Sequence, residues 1–234
     1  MSGAISHQIP LPIELRRAPS LAEYVPGPNT EAVAAVTELF GLRTAARLHL
    51  WGPGGSGKTH LLQAACRQAA DQGLTSTYLP LDRALELDPG VLGGLENMAL
   101  VCLDHLDRLA GLTVWQEGLF HLLNRAEESG TRVISASWDP PRLMKLELAD
   151  LISRLSAGMV LQLRDLDDGQ RRRAVQLRAQ SRGFEIPDDV AEYLLRRQRR
   201  DLPTLMRLVE RLDHSTLAAK RRVTIPFVKT LLDD

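Results

Sequence analysis

Gly52-Pro53-Gly54-Gly55-Ser56-Gly57-Lys58-Thr59 is a complete P-loop, and the fold follows from it. Its glycines let the backbone curl round a phosphate with successive N–H groups pointing inward. Lys58 supplies a point charge for the β- and γ-phosphates, and the Thr59 hydroxyl can ligate Mg²⁺. The context agrees. Leu48-His49-Leu50-Trp51 reads as a strand running in, and Lys58 to Asp71 as a helix running out. That helix places Leu61, Leu62, Ala65 and Ala69 on one face and aims its N-terminus at the anion. The bland alternative is a Gly-rich turn that only joins strand to helix. The full motif in this setting favours a nucleotide, ADP or ATP, held with Mg²⁺.

Around this unit the chain alternates. Thr30 is a candidate cap for a helix over Glu31–Leu42, with Val33, Val36, Leu39 and Phe40 inward. Further strands are expected over Ser76–Leu81, Ala99–Leu103, Thr131–Ser137 and Gly158–Leu163, with an irregular stretch to Asn97 and a helix over Val114–Ser129 stopped by Gly130. Ala99–Leu103 is almost entirely apolar, as a strand buried on both faces requires. From Asp167 the pattern is helical only: about Asp168–Arg182, Asp188–Arg197, Leu202–Ala219 and Pro226–Leu232. Strands alternating with helices after a P-loop indicate an α/β domain with a parallel sheet, over residues 21–165. A small all-helical unit follows over 166–234, and residues 1–20 read as an extended, Pro-rich tail.

The chain has 234 residues, 44% hydrophobic and 25% charged, with formal net charge zero. No global field therefore draws it to nucleic acid. Residues 1–165 carry 14 basic and 18 acidic side chains and residues 166–234 carry 15 and 11, a modest asymmetry of −4 against +4. Cys66 and Cys102 lie in apolar runs without metal-type spacing, and we read them as buried hydrophobes in a reducing compartment. No secretory signal or membrane span is visible, so a cytoplasmic protein is expected. The histidines are scattered and suggest no metal site beyond Mg²⁺.

A P-loop needs an acidic residue at the end of a neighbouring strand to hold Mg²⁺ through water. Asp104, after Val101-Cys102-Leu103, supplies it. An efficient ATPase of this class usually carries a second carboxylate next, to polarise the attacking water. Here His105 follows, and Asp107 substitutes only if the loop turns back. The expectation is good nucleotide binding with weak hydrolysis. His60, directly after Thr59, reads as a first-turn residue satisfied by a neighbouring backbone group.

Several stretches together resemble AAA+ proteins of the DnaA type, and specifically the DnaA-related regulatory inactivators of the Hda family. They are Tyr24-Val25-Pro26-Gly27-Pro28-Asn29, Gly55 to Leu62, Pro140-Pro141, Leu151-Ile152-Ser153-Arg154-Leu155, Arg182 to Pro187 and Thr224 to Lys229. The resemblance runs from about Leu21 to the end. It implies an AAA+ three-layer αβα domain followed by a helical lid, with Tyr24, Val25 and Asn29 on the adenine side. It also implies nucleotide contacts from Gly52 to His60, and Mg²⁺ bound through Thr59 and Asp104.

By the same resemblance Arg154 is the arginine finger that reaches a γ-phosphate held by a neighbouring subunit; without it, Arg154 would read as a solvated helix residue. Arg200 falls at the lid's second sensor, although the Arg196–Arg200 cluster also suits a solvated helix end. Trp138 fills the usually polar first-sensor position, with Ser137 a partial replacement. The given sequence ends at Asp234, where DnaA would continue into a helix-turn-helix domain, so no direct sequence-specific DNA binding is expected. Gln8-Ile9-Pro10-Leu11-Pro12-Ile13 resembles the bacterial clamp-binding motif: Gln8, Ile9, Leu11, Pro12 and Ile13 would dock on the sliding clamp, the β subunit of DNA polymerase III. Its bland alternative is a Pro-rich end. The function implied is negative regulation of replication initiation, by stimulating ATP hydrolysis in DnaA. An autonomous P-loop ATPase and a single-strand-binding AAA+ module stay open as rivals, and so does homodimer against monomer.

Overall fold

Five strands, β1 (Arg47–Trp51), β2 (Ser76–Pro80), β3 (Leu100–Asp104), β4 (Arg132–Ser137) and β5 (Met159–Gln162), lie parallel in the order β2-β3-β4-β1-β5. The computed structural model describes residues 19–41, 46–197, 201–219 and 223–233. Side-chain alternation along these strands makes two cores. Leu48, Leu50, Leu100, Cys102, Ile134 and Ala136 face α1 (Thr30–Glu38) and α2 (Lys58–Asp71). Val101, Leu103 and Val133 face α3 (Thr113–Ser129) and α4 (Ala149–Ser156). A continuous apolar run in β3 thus serves both faces, and the result is a three-layer αβα sandwich.

The β1–β4 register pairs His49 with Ser135 and Trp51 with Ser137, so β4 intervenes between the P-loop strand and β3. At about 4.8 Å per strand, the Asp104 strand end lies roughly 10 Å across the sheet from the end of β1. The P-loop must curl over β4 to bring Thr59 to Asp104.

Four helices complete the chain: α5 (Asp168–Ser181), α6 (Asp188–Arg197), α7 (Leu202–Ala219) and α8 (Ile225–Asp233). They surround their own core, in which Val175, Leu194, Leu205, Val209, Leu212 and Val228 are buried. Asp167 starts α5 with a capping box: its carboxylate accepts from the Gln170 N–H at 2.8 Å, and its own N–H donates to Gln170 Oε1 at 3.1 Å.

Most expected elements stand within a residue or two, and three readings are corrected. The first helix begins at Thr30, with Asn29 rather than Thr30 at the N-cap, and its last turn tightens into a 3₁₀ turn over Leu39–Gly41. Val36 and Leu39 are buried, but Val33 and Phe40 only pack against the core edge. The stretch from Leu81 to Asn97 is not irregular but a series of 3₁₀ turns. Helix α4, to which the sequence reading assigned no bounds, buries Leu151 and Leu155 against α3.

Candidate nucleotide-binding site

The P-loop follows β1, and its glycines adopt conformations closed to other residues. Gly57 has φ +98°, and a Cβ there would lie 2.6 Å from Tyr24 Cε2. Gly55 has φ +86°, and a Cβ there would meet Pro203 Cδ at 2.5 Å. These two positions therefore need glycine both for backbone geometry and for the close approach of Tyr24 and α7. The Trp138 ring packs against Gly54.

Lys58 is buried and folds back on its own loop, donating to the Gly52 carbonyl at 2.6 Å and the Pro53 carbonyl at 2.9 Å. Burial lowers its pKa, opposed by the fields of Asp104, Asp107 and Asp165. The Ser56 hydroxyl is buried in the same loop without a hydrogen-bond partner. A buried cation and an orphaned hydroxyl at a helix N-terminus are the donor set an anionic phosphate needs.

Asp104, fully buried, gathers three donors. Thr59 Oγ1 donates to Oδ2 at 2.6 Å, the Tyr78 hydroxyl to the same oxygen at 2.9 Å, and the His105 N–H to Oδ1 at 2.9 Å. A hydroxyl and a carboxylate are the hard oxygen ligands Mg²⁺ takes, completed by water and phosphate. This fits the finding that no group of three or more His, Cys, Asp or Glu side chains forms a metal cage among the described residues.

The second-carboxylate position is occupied differently. His105 sits in the left-handed region (φ 60°), the one non-glycine at positive φ among the described residues. Asp107 does turn back, but its Oδ1 accepts the Trp138 N–H at 3.1 Å. Ser137 does not reach the cleft as a first-sensor substitute. It is buried, its hydroxyl donates to the Asp139 carbonyl at 2.5 Å, and it lies 2.8 Å from His49 Nε2. Trp138 instead stands half-exposed beside the loop, its ring 5.9 Å from Lys58 Nζ.

A cleft of about 410 Å³ opens between the P-loop and the helices after Asp167, within the range of small-molecule sites. The sequence-expected Tyr24, Val25, Gly54, Gly55, Ser56, Gly57, Lys58, Thr59 and His60 all line it. Tyr24 donates to the Ser56 carbonyl at 3.2 Å, and burial pushes its hydroxyl up to about 12. His60 lies 2.9 Å from the Ser20 carbonyl, and burial lowers its pKa. The satisfying backbone group is thus not a sequence neighbour.

Asn29 is not among the lining residues. Its amide clasps Arg164, donating to the carbonyl at 2.9 Å and accepting from the N–H at 2.8 Å. It pins the segment after β5. Arg200 and the Gln8–Ile13 motif lie outside the described residues. Sequence reading missed Glu23, Leu166, Arg178, Pro203 and Met206, which also line the cleft. Only the adjacency of Glu23 to Tyr24 could have signalled any of them.

Arg154 is elsewhere. It leaves α4 near its end and donates to Glu127 Oε2 at 2.7 Å, and Glu127 also meets Arg47, the first residue of β1, at 3.4 Å. The P-loop follows the other end of that strand. Four steps of about 3.3 Å separate the two ends of β1 by roughly 13 Å, so the Arg154–Glu127 pair stands at the end of the strand away from the P-loop.

Residues 168–232 match the family described as the Hda lid domain. Over 92% of this chain and 95% of the other, the structure resembles domain III of the Thermotoga maritima replication initiation protein DnaA, with 24% identity and a TM-score of 0.76. AMPPCP-bound DnaA from Aquifex aeolicus matches with a TM-score of 0.69 and 24% identity, over 84% of this chain and 65% of that one. The Thermotoga maritima RuvB branch-migration motor is more distant at 19% identity and a TM-score of 0.59, over 86% and 64%. Among the described residues no helix is long and apolar enough to cross a membrane. The helical end of the chain is thus similar to the Hda lid domain, and the fold of the whole is that of DnaA domain III.

Proposed function

We propose that this protein is a negative regulator of replication initiation that acts in the cytoplasm by completing the ATPase site of DnaA. The carrying observation is the separation of its parts. Arg154 lies beside the Arg47 end of β1, away from the P-loop that follows the other end, an arrangement that suits a finger offered to a site on another subunit. Its own site supports binding more than turnover. Lys58, Thr59 and Asp104 hold nucleotide and Mg²⁺, while Asp107 is engaged with Trp138 and no second carboxylate follows Asp104. A guanidinium on a transferring phosphoryl group neutralises developing charge and is worth about 10³–10⁵ in rate.

On this reading the bound nucleotide is ADP, in a structural or gating role. Arg200 is the lid's sensor, and Gln8, Ile9, Leu11, Pro12 and Ile13 tether the protein to the DNA-loaded clamp. The lid match and the DnaA-like fold support the choice of partner. Free protein as a homodimer is compatible with this role.

The test is phosphate release by ATP-loaded DnaA with clamp-loaded DNA, adding wild type, Arg154→Ala, or Gln8→Ala/Leu11→Ala. Stimulation by wild type that is lost in both variants supports finger and tether together. Appreciable phosphate release by this protein alone, without stimulation, makes it an autonomous ATPase and overturns the proposal.

A further inference from the structure

Trp138 is a large apolar side chain that stays half-exposed although it lines the cleft, and its main chain fixes it there. The Trp138 N–H donates to Asp107 Oδ1 at 3.1 Å, and its carbonyl accepts from the Gly52 N–H, also at 3.1 Å. The residue is thus tied at once to the 3₁₀ turn over Leu106–Leu109 and to the first residue of the P-loop. Its ring lies on the entry of the loop. A Cβ on Gly54 would stand 3.1 Å from Trp138 Cη2 and 3.3 Å from Cζ2. Lys58 Nζ is 5.9 Å from the ring centroid, inside the range of a cation–π contact. The Gly52 carbonyl in turn accepts a proton from Lys58 Nζ at 2.6 Å, so ring, loop entry and lysine form one assembly.

Which phosphate the ring would meet follows from the order of the loop. The N-terminus of α2 holds the inner phosphates, and a P-loop lysine reaches for the outer ones. Lys58 Nζ folds back to the Gly52 and Pro53 carbonyls, away from the helix start. The outermost phosphate therefore belongs on the entry side of the loop, where the Trp138 ring stands. We propose that Trp138 sets the phosphate length this site accepts, its ring covering the place of a third phosphate and favouring nucleoside diphosphates. A terminal phosphate adds negative charge and needs hydrogen-bond donors. The indole face offers none and presents the negative side of its quadrupole. Because the main-chain bonds to Asp107 and Gly52 keep Trp138 at the loop, a third phosphate meets the ring or drives it off Gly54 and Lys58 into solvent. Selectivity then arises by obstructing the longer ligand, not by adding a contact to the shorter one.

The inference rests on the nucleotide-binding reading of the P-loop and names the residue behind its choice of ADP. Its test is calorimetric binding of ADP and of the non-hydrolysable ATP analogue AMPPCP, both with Mg²⁺, to the full chain. The proteins are wild type, Trp138→Ala, Trp138→Asn, Trp138→Phe and Lys58→Ala, with thermal melts to verify folding. We expect wild type to bind ADP about tenfold or more tighter than AMPPCP, the scale on which a pocket rejects a ligand that does not fit. Trp138→Ala and Trp138→Asn should bring the two affinities to within about threefold by strengthening AMPPCP relative to ADP. Trp138→Phe, which keeps a ring, should retain most of the preference. A merely structural role would weaken both ligands alike and leave their ratio unmoved. Wild type that binds the two equally, or AMPPCP more tightly, overturns the proposal together with the choice of ADP. A preference for ADP that persists in folded Trp138→Ala and Trp138→Asn overturns the proposal alone. Either outcome leaves the P-loop reading standing if Lys58→Ala abolishes binding, whereas wild type that binds neither ligand removes both.

Discussion

Thr59 Oγ1 donates its proton to Asp104 Oδ2 across 2.6 Å, leaving the lone pairs of the hydroxyl facing away from the carboxylate. A metal ligand needs those lone pairs, so the bond orients Thr59 for Mg²⁺ before any ion arrives. The same carboxylate is fixed by Tyr78 and by the His105 N–H. Thr59→Ala should therefore bind nucleotide without metal about as well as wild type, yet lose most of the affinity gained on adding Mg²⁺. Calorimetry with and without Mg²⁺ checks this. Thr59→Ser, which keeps the hydroxyl, should retain the gain. Asp104→Ala is a different case: it orphans buried donors at about 1–3 kcal/mol each, and its melting point should fall.

His105 takes the place of a catalytic carboxylate but is held by its backbone, not by chemistry. Its left-handed conformation suits His, Asn or Gly and penalises β-branched residues. His105→Val should lose about 1–2 kcal/mol in urea unfolding, while His105→Gly should not. If the imidazole is no general base, His105→Ala releases phosphate from ATP at the same slow rate as wild type. A drop of tenfold or more in that variant would assign the ring a catalytic part.

The elements legible in the sequence were those fixed by local physics. The P-loop is a contiguous pattern, α2 repeats its apolar residues along one face, and cap or stop residues mark others: Gly130 closes α3 and Asp167 starts α5. Helix α4 received no bounds because its eight residues bury only two side chains. Asn29 was placed at the site by the resemblance alone, and nothing local signals that its amide clasps Arg164, 135 residues away. Glu23 and Arg178 meet only through the closure of the lid helices over the first segment, so no local signal marks them as a pair. Trp138 was legible as a departure, but that its backbone would engage Asp107 was not.

On the P-loop strand itself, His49 lies buried between Ser135 and Ser137 of β4, each hydroxyl 2.8 Å from a ring nitrogen. Ser137 gives its proton to Asp139, so Nε2–H must donate to it and Nδ1 accepts from Ser135. Burial lowers the pKa of His49 to about 4. The unfolded chain, with an ordinary histidine near 6.5, binds this proton first. Stability is therefore complete above about pH 7 and falls as pH drops from 6.5 towards 4, by at most about 3 kcal/mol from this group. His60, also lowered by burial, acts in the same direction. Unfolding free energies from urea titrations at pH 7 and pH 5 should differ by about 2 kcal/mol more in wild type than in His49→Gln. Equal pH dependence in the two would mean that His49 is readily charged in the fold.

Arg154 separates finger from scaffold most sharply. Its pair with Glu127 is partly exposed, with the arginine side chain 39% accessible, and Glu127 keeps Arg47 when Arg154 is gone. Such a pair contributes about 0–1 kcal/mol, so Arg154→Ala should melt close to wild type. Its own nucleotide affinity should also be unchanged, since the P-loop follows the far end of β1. Stimulation of the partner ATPase should nevertheless be lost. Arg154→Lys should not restore it, because an ammonium cannot reproduce the planar, bidentate contact of a guanidinium with a phosphoryl group. A melting point lowered by many degrees, or weaker binding of nucleotide to this chain, would make Arg154 a structural residue. Glu127→Gln then discriminates further: releasing the guanidinium from its carboxylate should leave stimulation within a few-fold of wild type if the partner's phosphate, rather than Glu127, sets the working position of the finger.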